Sequence, residues 1–327
     1  MNNDHYMQDS PFGRVLHVDK EKRVMAKTSG RRIAGKRANE IGWAYFMVAP
    51  TIIGLIVLNI IPIFQTFYMS FFKSGAFGKG NIFIGLDNYR TLIADPQVGY
   101  AIRNTLVYTC SVVPITMVLA LLLAVFLNGK LKGKNIYRTI YFIPMVAAPA
   151  AVTMVWKWLF NYQFGLINHA LEAIGLEKVN WIDNPDVAMI SIVIIGVWSS
   201  LGYSMVLLLA GLQEIPKDYY EAANLDGASP MQQLFRITIP LLSPQLFFVM
   251  VTSIITAMQV FDIVYMMIDV TSPSYDRTVS LVYLFYNNSF KYSNKGYGSA
   301  IVMVLLAIIM IITVIQTKLQ KKWVNYM

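Results

Sequence analysis

Six separate stretches of this chain are each about 20 residues long and nearly free of charged side chains. An α-helix needs about 20 residues to cross the hydrocarbon core of a bilayer, so the pattern predicts an all-α membrane protein. Only 14% of the 327 residues are charged and 56% are apolar, which agrees with that class. The six expected spans are Trp43 to Phe71, Thr105 to Leu127, Thr139 to Phe160, Ala188 to Leu212, Pro244 to Ile268 and Ser299 to Thr317.

The basic residues predict the orientation of the chain. Segments on the side of the N-terminus carry eighteen lysines and arginines, against eight on the opposite side. Basic residues are retained in the cytoplasm, so both termini are expected there. Residues 1–40 then form a basic cytoplasmic tail, without the features of a cleavable signal peptide, and residues 41–327 form the membrane domain. We attribute the net charge of +9 to contact with anionic lipid and expect no nucleic acid.

Residues 213–243, between the fourth and fifth spans, depart from this charge rule. This 213–243 loop carries two basic residues, Lys217 and Arg236, against four acidic ones. A cytoplasmic loop with few basic residues is expected to have another task, and docking a partner protein is one. An ordinary surface hairpin is the alternative that the pattern leaves open.

Local signals in the 213–243 loop predict two short helices joined by a tight elbow. Pro216 suits the first turn of the first helix, and Gly227 is placed to end it. Ser229 is expected to cap the second helix, with Gln232 completing a capping box. The second helix is expected to end at Pro240, where the chain re-enters the membrane.

The same loop resembles the signature of permeases in binding-protein-dependent ABC importers. That signature is Glu-Ala-Ala, three residues, Gly, nine residues, then Ile-x-Leu-Pro, and the chain departs from it only at Ile239. In the family this loop is the coupling helix, which sits in a cleft of the ATPase subunit. Small side chains there are expected to allow close approach of the partner. The resemblance implies an ATPase-coupling role for Glu221, Ala222, Ala223, Asp226, Gly227, Ile237 and Pro240.

Further segments resemble the sugar-importer permeases of the maltose-transporter type. They are Ile84 to Leu92, Arg103 to Thr109, Tyr137 to Asn161 and Gln259 to Met267. The resemblance implies a type I importer fold in a bacterial cytoplasmic (inner) membrane, with a sugar or oligosaccharide as the solute. The family's Gly-Gly-Pro turn after span five is reduced here to Pro273. A non-sugar solute remains the alternative, because the loop signature is shared across solutes.

Polar residues inside spans are costly and indicate a solute path. Gln259 and Asp262 are three residues apart, so in one helix they would share a face. Hydrogen bonding between helices, or an interfacial position for tyrosine, is the alternative. Lys157 could favour an anionic sugar or extend to the headgroups. The candidate path residues are Asn59, Tyr203, Gln259, Asp262 and Tyr265.

The chain is not expected to be an enzyme, to bind a metal or to hold a cofactor. It has no Gly-rich loop ending in Gly-Lys-Ser/Thr, so ATP and Mg²⁺ are expected on a partner ATPase dimer. The resemblance implies two further partners, a second homologous permease and an extracytoplasmic solute-binding protein. Trp181 to Asp186 is the expected contact for that binding protein. A secondary transporter would show paired ionisable residues or internal repeats, and neither is evident.

Overall fold

The computed structural model describes residues 42–75, 81–129 and 133–324. They fall into two units, which divide between Gln65 and Thr66. The first unit holds most of an apolar helix, α1 (Gly42–Met69), which includes a π-helical turn at Ile56–Ile60. The expected tail, residues 1–40, lies outside the described residues.

The second unit begins with a small hairpin packed on a helix. Its elements are β1 (Phe72–Ser74), antiparallel to β2 (Asn81–Phe83), and α2 (Asp87–Ala94). The amide Nδ2 of Asn88 donates to the carbonyl oxygens of Ser70 at 2.8 Å and Phe72 at 2.9 Å. These bonds tie the hairpin to α2.

The remaining described elements are helical. The first group is α3 (Pro96–Asn128), α4 (Lys134–Val146), α5 (Pro149–Leu159), α6 (Leu166–Ala173) and α7 (Ala188–Glu214). The second is α8 (Asp218–Leu225), α9 (Pro230–Gln233), α10 (Ile239–Leu241), α11 (Ser243–Met258) and α12 (Asp262–Met267). The third is α13 (Tyr275–Thr278), α14 (Leu281–Tyr286) and α15 (Lys295–Trp323), with π-helical turns at Leu234–Thr238 and Asn287–Lys291.

The long helices extend beyond the apolar stretches that predicted them. Helix α3 starts well before Thr105, because Asp95 caps it and accepts from the backbone N–H of Gln97 at 2.9 Å. Pro96 follows at the first helical position, where a missing N–H costs nothing. Helix α15 likewise continues past Thr317 to Trp323. Hydropathy detects only the apolar part of a helix, so polar ends are missed.

The third expected span, Thr139 to Phe160, is not one helix. It consists of α4 and α5, which are bent by 99° relative to each other. The residues between them, Ala147 and Ala148, are extended, with ψ of 143° and 129°. Pro149 explains the break, because proline lacks an N–H and disfavours helical geometry in the residue before it.

The fifth expected span, Pro244 to Ile268, is also interrupted. Helix α11 ends at Met258 and α12 begins at Asp262, with Phe261 between them at φ −135° and ψ −62°. If Ser243–Met267 is counted as one helix, the described residues hold five helices long and apolar enough to cross a membrane, or six if the α4–α5 pair counts as one span.

Two apolar cores hold the second unit together. In one, Ala120 and Ala124 of α3 pack with Met205 and Leu208 of α7 beside the 213–243 loop. The other joins α3 and α7 to α11, α12, α14 and α15. Helix α4 packs on α7, where Gly202 faces the backbone carbonyl of Tyr141 with no room for a side chain. The bent pair is thus seated directly on the central helices.

Candidate functional site

The elbow of the 213–243 loop is built from backbone hydrogen bonds. Gly227 has φ of +75°, the left-handed conformation that favours glycine. The N–H of Ala228 donates to the carbonyl of Ala223 at 2.9 Å, and the N–H of Gly227 donates to that of Asn224 at 3.1 Å. This pair of bonds is the Schellman motif, which ends α8 and turns the chain.

The second helix of the loop begins as the sequence predicts. The Oγ of Ser229 accepts from the N–H of Gln232 at 3.3 Å, and the Oε1 of Gln232 accepts from the N–H of Ser229 at 2.8 Å. Both bonds of the capping box are therefore present, with Pro230 at the first helical position. Pro216, however, lies before α8 rather than in its first turn.

Side-chain bonds brace the two arms of the elbow against each other. The Nε2 of Gln233 donates to the Oδ1 of Asn224 at 2.7 Å and to the carbonyl of Ala228 at 3.1 Å. The hydroxyls of Tyr220 and Thr238 lie 3.1 Å apart. These bonds hold the two arms of the loop against each other.

The second arm does not end at Pro240. From α9 the chain continues through the π-helical turn Leu234–Thr238 and α10 to α11, with Pro240 inside α10. A π-helical turn closes each hydrogen bond one residue later than an α-helix, so the chain stays helical through this stretch. A nearly continuous helical segment therefore joins the elbow to α11.

The signature residues separate into exposed and buried positions. Glu221, Ala222, Asp226 and Gly227 are exposed, and Glu221 has no ion-pair partner in the described chain. Ile237 and Pro240 are half-buried. Ala223 does not lie on the exposed surface of the loop, since it is only 9% exposed, and its part in docking stays a prediction. It instead packs inside the loop, since the chain folds back on the last turn of α8.

Three apolar side chains project from the elbow into solvent. Leu225 is 91% exposed, Met231 63% and Phe235 62%. Single exposed apolar residues are ordinary, but three on one short rigid loop form a surface suited to a protein partner. No sequence pattern predicted this group, because one helix ends and another begins between Leu225 and Met231, so the three residues have no regular helical spacing.

A cavity of about 540 Å³ lies among α3, α4, α5, α7 and α11. The extended residue Ala147 and the two prolines that flank the bend, Pro144 and Pro149, form part of its wall. Tyr108 of α3 reaches it next to Gly196 of α7. The bend of the α4–α5 pair thus leaves space within the bundle that one straight helix would fill.

Gln259 and Asp262 both line this cavity, although not for the reason their spacing indicated. They lie on either side of the break between α11 and α12, so they do not share a face of one helix. Both are exposed to the cavity, together with the half-buried ring of Phe261 between them. The break presents an amide, an aromatic ring and a carboxylate together.

Most of the polar lining consists of hydroxyl groups that the sequence analysis did not single out. Ser199, Ser200, Tyr203 and Ser204 belong to α7 and recur with the three- and four-residue spacing of one helical face. That spacing was the signal available in the sequence. Helix α11 contributes Thr252, Ser253 and Thr256.

Ser204 differs from the other hydroxyls in its hydrogen bonding. The Oγ of Ser200 donates to the carbonyl of Gly196 at 2.6 Å and lies 3.2 Å from the Oγ1 of Thr116. The Oγ of Ser204 is buried without a hydrogen-bond partner among the described residues. Because Ser204 is only 1% exposed, this hydroxyl is not accessible to a molecule in the cavity.

One of the five predicted path residues, Tyr265, is placed elsewhere. Tyr265 does not line the cavity; its ring stacks on that of Phe261, with centroids 5.1 Å apart. Asn59 is exposed on α1 in the first unit, and its role stays a prediction. Tyr203 lines the cavity as described above.

The side chains of Lys157 and Lys291 contact residues 265 and 266 and do not line the cavity. The Nζ of Lys157 donates to the carbonyl of Met266 at 3.3 Å, and the Nζ of Lys291 lies 5.3 Å from the centroid of the Tyr265 ring. The N–H and hydroxyl of Thr271 donate to Asp269 and lower the pKa of its carboxyl, and the two lysines add to this.

The segment Trp181 to Asp186 is partly structural. The Nε1 of Trp181 donates to the Oδ1 of Asn168 at 2.9 Å, and its ring packs on that of Phe160. Asp183 is exposed and accepts from the hydroxyl of Ser272 at 2.9 Å. Among the described residues no three His, Cys, Asp or Glu side chains are grouped as metal ligands.

Residues 101–325 match a family model described as the inner membrane component of binding-protein-dependent transport systems. The trehalose/maltose transport system permease protein MalF of Thermococcus litoralis is 34% identical over 84% of this chain and 92% of its own length. The arabinooligosaccharides transport system permease protein AraP of Bacillus subtilis is 34% identical over 84% of this chain and 87% of its own.

The fold is also similar to that of a solved structure. A chain from a bacterial ABC transporter involved in the import of the acidic polysaccharide alginate superposes with a TM-score of 0.78. The match covers 89% of this chain and 99% of the other, at 21% sequence identity. At that identity the similarity concerns the fold.

Proposed function

The chain belongs to the family of inner membrane components of binding-protein-dependent transport systems, and from that membership we propose that it forms half of the translocation pathway of a sugar or oligosaccharide importer. It is a multi-pass protein of the inner membrane, and ATP hydrolysis takes place on a separate ATPase. The relatives that transport trehalose, maltose and arabinooligosaccharides support the solute class.

One observation carries the proposal: the rigid elbow and the cavity are joined by a single helical segment. The braced elbow runs through the π-helical turn Leu234–Thr238 and α10 into α11. The far end of α11 forms the cavity wall from Thr252 to Gln259. A force applied to the elbow by a cytoplasmic partner therefore displaces the residues that contact the solute.

The partner at the elbow is a subunit of an ATPase dimer. Leu225, Met231 and Phe235 supply the apolar contact, and Glu221 supplies a charge for a basic residue of the ATPase. ATP and Mg²⁺ bind to that dimer. Closure of the dimer on ATP draws the elbow inward and turns the cavity outward, and hydrolysis reverses the change.

The cavity contacts the solute with groups suited to sugars. Hydroxyl groups of the solute exchange hydrogen bonds with Gln259, Asp262 and Tyr203, and the Phe261 ring stacks on the apolar face of a sugar ring. A second homologous permease completes the pathway, and an extracytoplasmic solute-binding protein delivers the sugar. Exposed Asp183 is a candidate contact for that protein.

The elbow is tested by capture of the ATPase. The tagged chain is co-expressed with its second permease and ATPase, and the ATPase that copurifies is quantified for Leu225→Asp and Glu221→Lys. Leu176→Asp is the control, because Leu176 is 55% exposed and lies outside the loop. We expect both elbow variants to lose most of the ATPase and the control to retain it.

Transport is tested in proteoliposomes that contain the complete complex and its binding protein. Stimulation of ATP hydrolysis by an oligosaccharide supports the proposed solute class. Stimulation by amino acids or metal ions alone would favour the non-sugar alternative.

In the capture experiment, full retention of the ATPase by both elbow variants would contradict the coupling role of the loop.

A further inference from the structure

We infer that this chain's cavity selects neutral saccharides over anionic ones, and that Asp262 is the residue that determines this selectivity. The inference rests on the proposed function and adds the charge of the solute to it. It follows from which charged groups line the cavity and which do not.

Asp262 is the one acidic or basic residue among those that line the cavity, within the part of the chain that the structure describes. The remaining polar lining consists of hydroxyls and the amide of Gln259. No lysine, arginine or histidine of the described chain lines the cavity. A carboxylate or sulfate on the solute would therefore face a fixed negative charge without compensation from this chain.

The nearby lysines do not remove this charge. Lys157 donates to the carbonyl of Met266, and Lys291 lies over the ring of Tyr265. Both also act on the carboxylate of Asp269, which lies beyond the end of α12 and outside the cavity. Neither lysine therefore lines the cavity, and Asp262 is the acidic group that the solute meets there.

A neutral saccharide suits the same group. An ionised carboxylate accepts hydrogen bonds through both oxygens, so Asp262 can accept from two adjacent sugar hydroxyls. Gln259 can both donate and accept, and the Phe261 ring between them offers an apolar face. An anionic sugar would keep these contacts but add like-charge repulsion, which is strong where water is partly excluded. The similarity to the alginate importer chain, at 21% identity, does not extend to solute charge.

The experiment measures equilibrium binding to the complex of this chain, its second permease and its ATPase in lipid nanodiscs, without the binding protein. The probes are matched trisaccharides of galactose and galacturonate, mannose and mannuronate, and glucose and glucuronate. In the pair that binds, we expect the neutral member to bind at least about tenfold more tightly than the uronate.

Three variants test the residue. Asp262→Asn keeps the shape and removes the charge, so we expect the preference to fall to within about threefold, chiefly by tighter uronate binding. Asp262→Glu keeps the charge and should keep the preference. Asp269→Asn is the matched control, because it removes an exposed carboxylate outside the cavity, and it should also keep the preference.

Equal or tighter binding of the uronate by the wild-type complex would overturn the inference and leave the proposed function in place. An unchanged preference in Asp262→Asn, with the neutral sugar still bound, would overturn the role of Asp262. Absence of binding by every trisaccharide, together with no sugar-stimulated ATP hydrolysis in the complete complex, would overturn the proposed function and this inference with it.

Discussion

The hydroxyl oxygens of Tyr220 and Thr238 lie 3.1 Å apart and join the two arms of the 213–243 loop. Thr238 is buried and also donates to the carbonyl of Gln233 at 3.2 Å, so the contact connects α8 to the π-helical turn that leads into α11. The contact thereby fixes the two arms of the loop relative to each other.

Removal of that contact should loosen the elbow without unfolding it. For Tyr220→Phe we expect a loss of about 1 kcal/mol in local stability, since one half-buried hydrogen bond disappears while the ring remains. Amide hydrogen exchange at Gly227 and Ala228 should then accelerate about fivefold. The control is Tyr219→Phe, which changes an exposed ring. Equal exchange in both variants would contradict the bracing role.

The left-handed backbone at Gly227 predicts that substitutions there lower the thermal stability to graded extents. Asparagine tolerates a positive φ better than alanine, and β-branched valine tolerates it least. We expect the midpoint of thermal unfolding to decrease in the order Gly, Asn, Ala, Val, with alanine costing about 1 kcal/mol. Space is not the cause, because nothing lies within 4 Å of a side chain added there. An alanine variant as stable as wild type would contradict the assignment.

The contact between Gly202 and Tyr141 predicts a much larger effect. A methyl group on Gly202 would collide with the backbone carbonyl of Tyr141, which cannot turn aside as a side chain can. For Gly202→Ala we expect loss of the monodisperse complex in size-exclusion chromatography. Gly99→Ala in α3 is the control, since nothing lies within 4 Å of a side chain there. A well-folded Gly202→Ala complex would show that α4 does not pack this closely.

Ser204 and Ser191 offer a matched pair on α7. Because the hydroxyl of Ser204 is buried without a partner in the described chain, Ser204→Ala should not lower stability. The hydroxyl of Ser191 donates to the carbonyl of Trp181 at 2.7 Å, outside the cavity. Ser191→Ala should therefore lower stability. An equal loss of stability in both variants would contradict the absence of a partner for Ser204.

The lowered pKa of Asp269 predicts that local stability depends on pH only in the acidic range. The N–H and hydroxyl of Thr271 hold the pKa of this carboxyl below its ordinary value. A depressed pKa adds stability that is complete above the unfolded-state pKa, near 4, and is lost as pH falls through the lower folded value. Protection of the Thr271 amide, corrected for intrinsic exchange, should be constant from about pH 5 to 8. Asp269→Asn should reduce it across that range.

Local signals predicted the elbow well because its structure depends on adjacent residues. The capping box at Ser229 and Gln232 and the left-handed Gly227 are both present, since each needs only a few residues of chain. The burial of Ala223 was not predictable in this way. It depends on how α8 meets the rest of the loop, which no local pattern records.

The predicted path residues likewise combine features that local sequence predicts with features that depend on the tertiary structure. Gln259 and Asp262 were noted as polar residues within a span, and both line the cavity. Their spacing nevertheless gave the wrong geometry, because the helix breaks between them without a proline or glycine in residues 258–262. Tyr265 was predicted on the same grounds, but its ring packs against that of Phe261 and does not line the cavity.

The sequence by itself determined that the chain is a helical membrane protein with an elbow of two short helices between its fourth and fifth spans. Hydrophobic length and short-range capping and turn preferences act within one segment, so they can be read without a fold. The tertiary structure decided where the cavity lies and which groups face it. The 99° bend of α4 and α5, the break before α12 and the close packing at Gly202 depend on helices distant in sequence. Packing between such helices determines which local conformation forms, and it thereby places the groups that line the cavity.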